Sequence, residues 1–197
     1  MSLTTLLLGI IVVVSLAGLT FAPGLIERSL FRPYWLLPKR QYATLVSSGF
    51  MHANLAHLLF NAFTFWSFGS ALEHATGPTR FLALYAVGLL VSNAGTWLKH
   101  RRDPDYASLG ASGAILAVLF ASIVYFPRES LYILPWPVPI PAPLFAVGYL
   151  IYTWYAGRFM RGRINHDAHF GGAIAGLLFV ALTDPRAWQR AISLFLH

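Results

Sequence analysis

A serine flanked by glycines and a histidine followed by glycines are the residues of this chain best suited to acyl-transfer chemistry. Ser112 lies in GASG, where the glycines leave its hydroxyl and the neighbouring N–H groups accessible. His169 begins HFGGAIAG, with Gly172 and Gly176 on roughly its own helical face. An imidazole beside a serine hydroxyl acts as its general base. Either motif alone is more often a packing feature, and their pairing favours catalysis.

A second polar pair lies earlier in the chain. His57 and Asn61 are four residues apart, so about 40° separates them around a helix and both side chains point the same way. Both are hydrogen-bond donors. They are therefore candidates to stabilise one oxyanion.

Metal binding is not predicted, although the chain has several histidines. His52 lies five residues before His57, about 140° around a helix, whereas a metalloprotease helix needs histidines four apart. His166 and His169 come nearer to metal spacing, but a Ser–His dyad is the better interpretation. Asp167 adjoins His169 and would point elsewhere on a helix. We therefore expect no third triad member, no metal and no other cofactor.

The composition is that of a membrane protein. Hydrophobic residues make up 57% of the 197 residues and charged residues only 11%, against about 25% charged in soluble proteins. The absence of cysteine excludes disulfides, thiolate metal sites and a cysteine nucleophile. The net charge of +7 comes from short, scattered basic clusters, which indicates loops beside anionic lipid and no nucleic-acid binding.

Apolar segments predict an all-α, polytopic bundle of six transmembrane helices in a single domain, residues 1–197. The first is expected to stay uncleaved, because no Lys or Arg precedes it. Residues 23–48 form a long, partly interfacial first loop, and the proline-rich segment 127–143 cannot be regular helix. An amphipathic tail, 185–197, is expected on the membrane. The approximate spans are 3–22, 50–72, 80–98, 109–126, 141–157 and 168–183.

Six spans have a geometric consequence for the polar residues. The second, fourth and sixth helices begin at the same face of the membrane, whatever the overall orientation. Those three beginnings hold His57 with Asn61, then Ser112, then His169. The candidate residues should therefore converge on one side of the bilayer.

Three motifs in this order resemble the rhomboid protease family, of the bacterial six-helix type. They are HANLAHLLFN at 52–61, GASG at 110–113 and AHFGGAIAG at 168–176. The resemblance implies Ser112 as nucleophile and His169 as general base, with the oxyanion stabilised by His57, Asn61 and the Ser112 backbone N–H. It also implies supporting roles for His52, Gly110, Gly113, Gly172 and Gly176, and a structural role for Glu73, which would brace the first loop.

Two positions depart from the family pattern. The first loop lacks the Trp-Arg pair of many members, which leaves its anchoring open. Four residues after the nucleophile, where many members have an aromatic ring that stacks on the histidine, this chain has Leu116. We therefore expect His169 to be held less tightly than in those members.

Two arguments about orientation disagree. Ten of the 14 Lys and Arg residues lie in the first, third and fifth loops, so the positive-inside rule places the active-site face in the cytoplasm. The family resemblance implies an opening on the extracytoplasmic side of the cell membrane. We follow the family, because part of the basic charge lies in a loop that can contact headgroups.

The resemblance implies an intramembrane serine endopeptidase that cleaves transmembrane segments of other membrane proteins through an acyl-enzyme. Its partners would be such substrates and the lipid bilayer. A rhomboid-like protein that binds membrane clients without cutting them is the alternative, and loss of Ser112 or His169 would favour it. A small transporter is a third interpretation, which predicts polar groups along a route through the bilayer.

Overall fold

The computed structural model describes residues 1–133, 136–160 and 164–194, and these are mostly helical. Two short 3₁₀ turns, Pro33–Trp35 and Ser48–Phe50, lie in the first loop. The other elements, in order, are α1 (Leu3–Thr20), α2 (Pro23–Ser29), α3 (Thr44–Ser47), α4 (Leu55–Thr76), α5 (Pro78–His100), α6 (Ser112–Tyr125), β1 (Ser130–Ile133), β2 (Trp136–Pro141), α7 (Ala142–Phe159), α8 (His166–Thr183) and α9 (Pro185–Ser193).

Helices α1, α4, α5, α6, α7 and α8 overlap the six apolar segments of the sequence, although α4 (Leu55–Thr76) begins and ends later than the predicted 50–72. Two asparagines fix where the helices with histidines begin. Asn54 accepts a hydrogen bond from the His57 N–H at 2.9 Å, so α4 starts at Leu55. Asn165 accepts a hydrogen bond from the Ala168 N–H at 3.0 Å, so α8 starts at His166. Such side chains satisfy N–H groups that the first turn of a helix leaves without partners.

The all-α prediction is wrong at the proline-rich segment, where β1 and β2 form an antiparallel hairpin. Leu131 faces Ile140, and Pro139 and Pro141 occupy the alternate positions. Proline has no N–H to donate and is tolerated in a strand only where none is needed. Successive residues of a strand direct their N–H groups to opposite sides. Because Pro139 and Pro141 are two residues apart, both occupy positions whose N–H would face away from β1.

Helix α6 is the centre of the bundle and packs against α4, α5 and α8. Residues 113–124 are all buried, which matches a helix that is apolar on every side. Its 14 residues rise about 21 Å, less than the roughly 30 Å of a hydrocarbon core. A helix this short can hold its first residue below the membrane surface.

The outer surface of the bundle is apolar. Phe60 and Trp66 on α4 and Ile151 on α7 have more than 60% of their surface exposed, while polar residues such as Asn61 and Ser92 are buried. By length and hydropathy alone, α1 and α5 are able to cross a membrane, and α8 with α9 adds a third candidate bent by 104°. The other helices of the bundle are shorter or less apolar.

The first loop is ordered by short helices and by pairing with the segment before α6. Phe31 is fully buried and exchanges two backbone hydrogen bonds with Ser108, both of 3.0 Å. The Ser48 carbonyl accepts a hydrogen bond from the Gly110 N–H at 2.9 Å. The loop thereby fixes the backbone that leads into Ser112.

Glu73 has a structural partner other than the predicted one. Its carboxylate accepts hydrogen bonds from the N–H groups of Leu3 and Thr4, both of 2.8 Å, and from the Thr4 hydroxyl at 2.7 Å. It therefore caps the beginning of α1, and the expectation that it braces the first loop is wrong. Free N–H groups at a helix N-terminus attract a carboxylate, which explains the contact.

Candidate active site

Ser112 and His169 are in direct contact. Ser112 is the first residue of α6, and His169 lies in the first turn of α8. The His169 Nε2 atom is 2.9 Å from the Ser112 Oγ atom, and both residues are half-buried. This is the distance over which an imidazole removes a hydroxyl proton. The structure thus brings together the two residues predicted to carry the chemistry.

Glycines on both helices allow this contact. A Cβ atom on Gly172 would overlap the backbone of Gly113, and one on Gly176 would overlap the backbone of Ala117. Any other residue at these two positions would push α8 away from α6. The close approach sets the separation of the dyad.

His57 lies beside the loop that leads to Ser112. Gly110 has a φ of +132°, which L-residues rarely adopt, and a Cβ there would lie 2.6 Å from the His57 ring. Glycine at this position therefore serves both the backbone conformation and the close approach of the imidazole. The geometry places His57 against the backbone two residues before the candidate nucleophile.

Asn61 and His52 support this corner of the site. The Asn61 side-chain amide donates to the His57 carbonyl at 2.9 Å, which leaves its second N–H for another acceptor. His52 is fully buried, with its Nδ1 atom 3.0 Å from the Ser15 hydroxyl. Its ring meets the His57 ring edge-on, with centroids 4.9 Å apart. His52 therefore limits the positions open to the His57 ring.

Polar groups also surround Ser112 on the side of α5. Because Ser112 occupies the first position of α6, its N–H has no carbonyl one turn earlier and remains available to a ligand. A polar cleft of about 10 Å³, room for roughly one water molecule, adjoins the serine. Its walls include Ser48, Ser92, Asn93, Asn165 and Ala168.

No sequence pattern singled out Tyr149, whose hydroxyl lies 3.1 Å from His169 Nδ1. Tyr149 belongs to α7, and only the packing of α7 on α8 reveals the contact. Asp167 points away from His169, as expected, and forms an ion pair of 2.7 Å with Lys99. Within the described residues, no group of three His, Cys, Asp or Glu side chains is arranged to hold a metal.

Comparisons with known proteins agree with the motifs. A family model described as the Rhomboid domain matches residues 39–186. The chain is 30% identical to presenilin-associated rhomboid-like protein A, mitochondrial, of Danio rerio, over 77% of this chain and 40% of that protein. It is 32% identical to RHOMBOID-like protein 12, mitochondrial, of Arabidopsis thaliana, over 75% of this chain and 46% of that protein. It is 29% identical to Rhomboid protein 1, mitochondrial, of Saccharomyces cerevisiae (strain ATCC 204508 / S288c), over 76% of this chain and 45% of that protein.

An apolar helical bundle with a serine and a histidine in contact at its centre defines a multi-pass membrane protein with a site of the serine-protease type. Because the family model covers most of its length, the chain belongs to the rhomboid family of intramembrane serine proteases. It spans less than half the length of the curated relatives it matches. Those relatives are mitochondrial, so the comparisons establish the family and not the bacterial type expected from the motifs.

Proposed function

We propose that the chain is an intramembrane serine endopeptidase in which Ser112 is the nucleophile and His169 its general base. The proposal rests on the 2.9 Å contact between His169 Nε2 and Ser112 Oγ. Membership of the rhomboid family supports the reaction class. The nearest carboxylate in sequence, Asp167, is engaged by Lys99, which supports a dyad.

The reaction proceeds in two halves. His169 Nε2 takes the Ser112 proton as Oγ attacks the substrate carbonyl, and the C=O electron pair moves to oxygen to form a tetrahedral oxyanion. The imidazolium then protonates the leaving amine as the C–N bond breaks, which leaves an acyl-enzyme on Ser112. A water molecule, deprotonated by His169, attacks the ester carbonyl. The imidazolium then returns that proton to Ser112 Oγ as the C–O bond breaks, which releases the acid and free Ser112.

The oxyanion requires donors that are already in place. The Ser112 N–H lies in the first turn of α6, where N–H groups lack intrahelical acceptors and favour negative charge, and it is the first donor we assign. The His57 imidazole lies against Gly110, two residues before the nucleophile, and is the second donor we assign. Asn61 has one N–H left after its bond to the His57 carbonyl, and we assign it as the third.

The substrates we propose are transmembrane segments of other membrane proteins. The outer faces of α4 and α7 are apolar, so a substrate helix can approach through lipid. A helical amide is hydrogen-bonded and shielded, and must unwind before Ser112 reaches its carbonyl. The polar cleft beside Ser112 offers space for the water that deacylation needs.

We also propose six spans in the cell membrane, with the active-site face extracytoplasmic. The family resemblance supports this orientation and the distribution of basic residues opposes it. The chain has no cysteine, so single cysteines at Arg101 and Arg128, on opposite faces, report orientation cleanly. A membrane-impermeant maleimide applied to whole cells should label Arg101→Cys and not Arg128→Cys, and the reverse result would invert the topology.

The chemistry is tested by fluorophosphonate labelling of purified protein in detergent. We expect labelling of Ser112 in the wild type and none in Ser112→Ala. His169→Ala should label far more slowly, because the hydroxyl loses its base. If the wild type and Ser112→Ala gave equal labelling, the protease proposal would fail and a client-binding role would replace it.

A further inference from the structure

Both nitrogens of the His169 ring have a partner. Nε2 lies 2.9 Å from Ser112 Oγ, and Nδ1 lies 3.1 Å from the Tyr149 hydroxyl. The three side chains come from three different helices, α6, α8 and α7. In a serine–histidine–carboxylate triad, the group at Nδ1 orients the ring and stabilises the imidazolium. Tyr149 occupies that position here.

Aromatic packing holds the Tyr149 hydroxyl in place. Its ring stacks on Phe145 with centroids 5.4 Å apart and meets Phe120 of α6 at 5.8 Å. Both rings belong to the apolar cluster that also contains Leu116. Aromatic pairs at these separations restrict the ring. Leu116 stands where many family members have an aromatic ring beside the histidine. In this chain, the aromatic ring beside His169 is that of Tyr149 on α7.

The chemistry of proton transfer calls for an acceptor at this position. When His169 takes the Ser112 proton, it becomes an imidazolium with N–H donors at both nitrogens. A hydroxyl oxygen can turn its own proton away and accept a hydrogen bond from Nδ1–H. An acceptor that gains strength as the imidazolium forms stabilises the transition state more than the ground state.

We propose that Tyr149 is a positioning residue for the reaction, whose hydroxyl oxygen accepts a hydrogen bond from Nδ1–H of the His169 imidazolium. This inference rests on the proposed function. It follows that the dyad depends on α7, because a displacement of α7 that broke this contact would leave the imidazolium without its partner. The residues that react thus lie on α6 and α8, and the residue that orients them lies on α7.

The test compares Tyr149→Phe with the wild type, using Tyr155→Phe as the matched control. Tyr149→Phe removes only the hydroxyl and keeps the ring packing. Tyr155 lies on the same helix, is 53% exposed and packs on Phe159. We expect kcat for a transmembrane reporter to fall about 10- to 100-fold, the loss that follows removal of the group at the second ring nitrogen of a metal-ligating histidine, with KM within about two-fold. Tyr155→Phe should match the wild type.

A second readout does not depend on activity. In protein containing isotope-labelled histidine, with the His169 signals identified by their loss in His169→Ala, the nitrogen resonance of Nδ1 should shift in Tyr149→Phe and stay in place in Tyr155→Phe. An unshifted resonance in Tyr149→Phe, or an unchanged kcat with a lowered melting temperature, would overturn the inference. Failure of the protease proposal would instead appear as a wild type that neither cleaves nor labels at Ser112.

Discussion

Gly172 on α8 packs directly against the backbone of Gly113 on α6. A Cβ atom at Gly172 would lie closer to the Gly113 carbonyl than real Cβ atoms approach backbone, and backbone cannot yield as a flexible side chain does. His169 lies one turn before Gly172 on the same helix. The spacing of the dyad is therefore set by two glycines that take no part in the chemistry.

Substitution at this contact should damage both stability and activity. We expect Gly172→Ala to lower the free energy of unfolding by about 1–3 kcal/mol, as overpacking does, and to reduce cleavage by about 100-fold, because small displacements of reacting groups are costly. Gly171→Ala is the control, since its Cβ would meet Ser92 at an ordinary 3.4 Å. Equal loss of stability in both variants would show that the α6–α8 contact is not the cause.

Asp184 should make stability depend on pH in the acid range. Burial acts to raise its carboxyl pKa, but the Tyr125 hydroxyl, the Ala187 N–H and the Arg190 and Arg80 charges together lower that pKa below its ordinary 3.8. A lowered pKa in the folded state means that the stabilisation is present above the unfolded-state pKa. It is lost as pH falls through the folded-state pKa.

The measurement is the melting temperature in detergent, scanned from about pH 7 to about pH 3. Asp184→Asn should lower the melting temperature at neutral pH and flatten the decline below about pH 4. Asp105→Asn, in the exposed third loop, is the control and should follow the wild type. If Asp184→Asn kept the full acid decline, other groups would be responsible.

Glu73 should stabilise α1 against the bundle. Its carboxylate accepts three hydrogen bonds from Leu3 and Thr4, and Gln would present an NH₂ group to one of these donors. We expect Glu73→Gln to lower the free energy of unfolding by about 1–3 kcal/mol. Glu27→Gln is the control. It removes an ion pair between Glu27 and Arg32 in which the Glu27 side chain is 68% exposed, and such exposed pairs contribute about 0–1 kcal/mol. Similar losses in the two variants would contradict the capping role.

His57 should affect the rate and not substrate binding. An oxyanion donor acts only when charge develops, so we expect His57→Ala to lower kcat by about 100- to 1,000-fold with KM within about two-fold. His74→Ala, at the exposed end of the same helix, is the control. A raised KM with unchanged kcat would assign His57 to substrate binding instead.

The positions of the helices follow from the sequence for a physical reason. Lipid requires internally satisfied backbone, and an apolar segment of about 20 residues has the length of one helical span. The order of these segments brings Ser112, His57 and His169 to one side. Gly172 and Gly176, on the helical face of His169, likewise indicate a close helix contact, because a face of small residues lets two backbones approach each other.

Three features could not be predicted from the sequence, because each depends on packing between distant segments. Tyr149 is one of nine tyrosines, and only the rotation of α7 distinguishes it from the others. Glu73 caps a helix 69 residues away in the chain. The strand pairing of the proline-rich segment depends on which N–H groups face β1. Local patterns do not contain this information.

The most direct measurement is cleavage of a single-span reporter by purified protein in liposomes, comparing the wild type with Ser112→Ala and His169→Ala. We predict that the wild type releases a fragment and that both variants are inactive while retaining the wild-type melting temperature. Cleavage that persisted in a folded Ser112→Ala variant would contradict the assignment of Ser112 as the nucleophile.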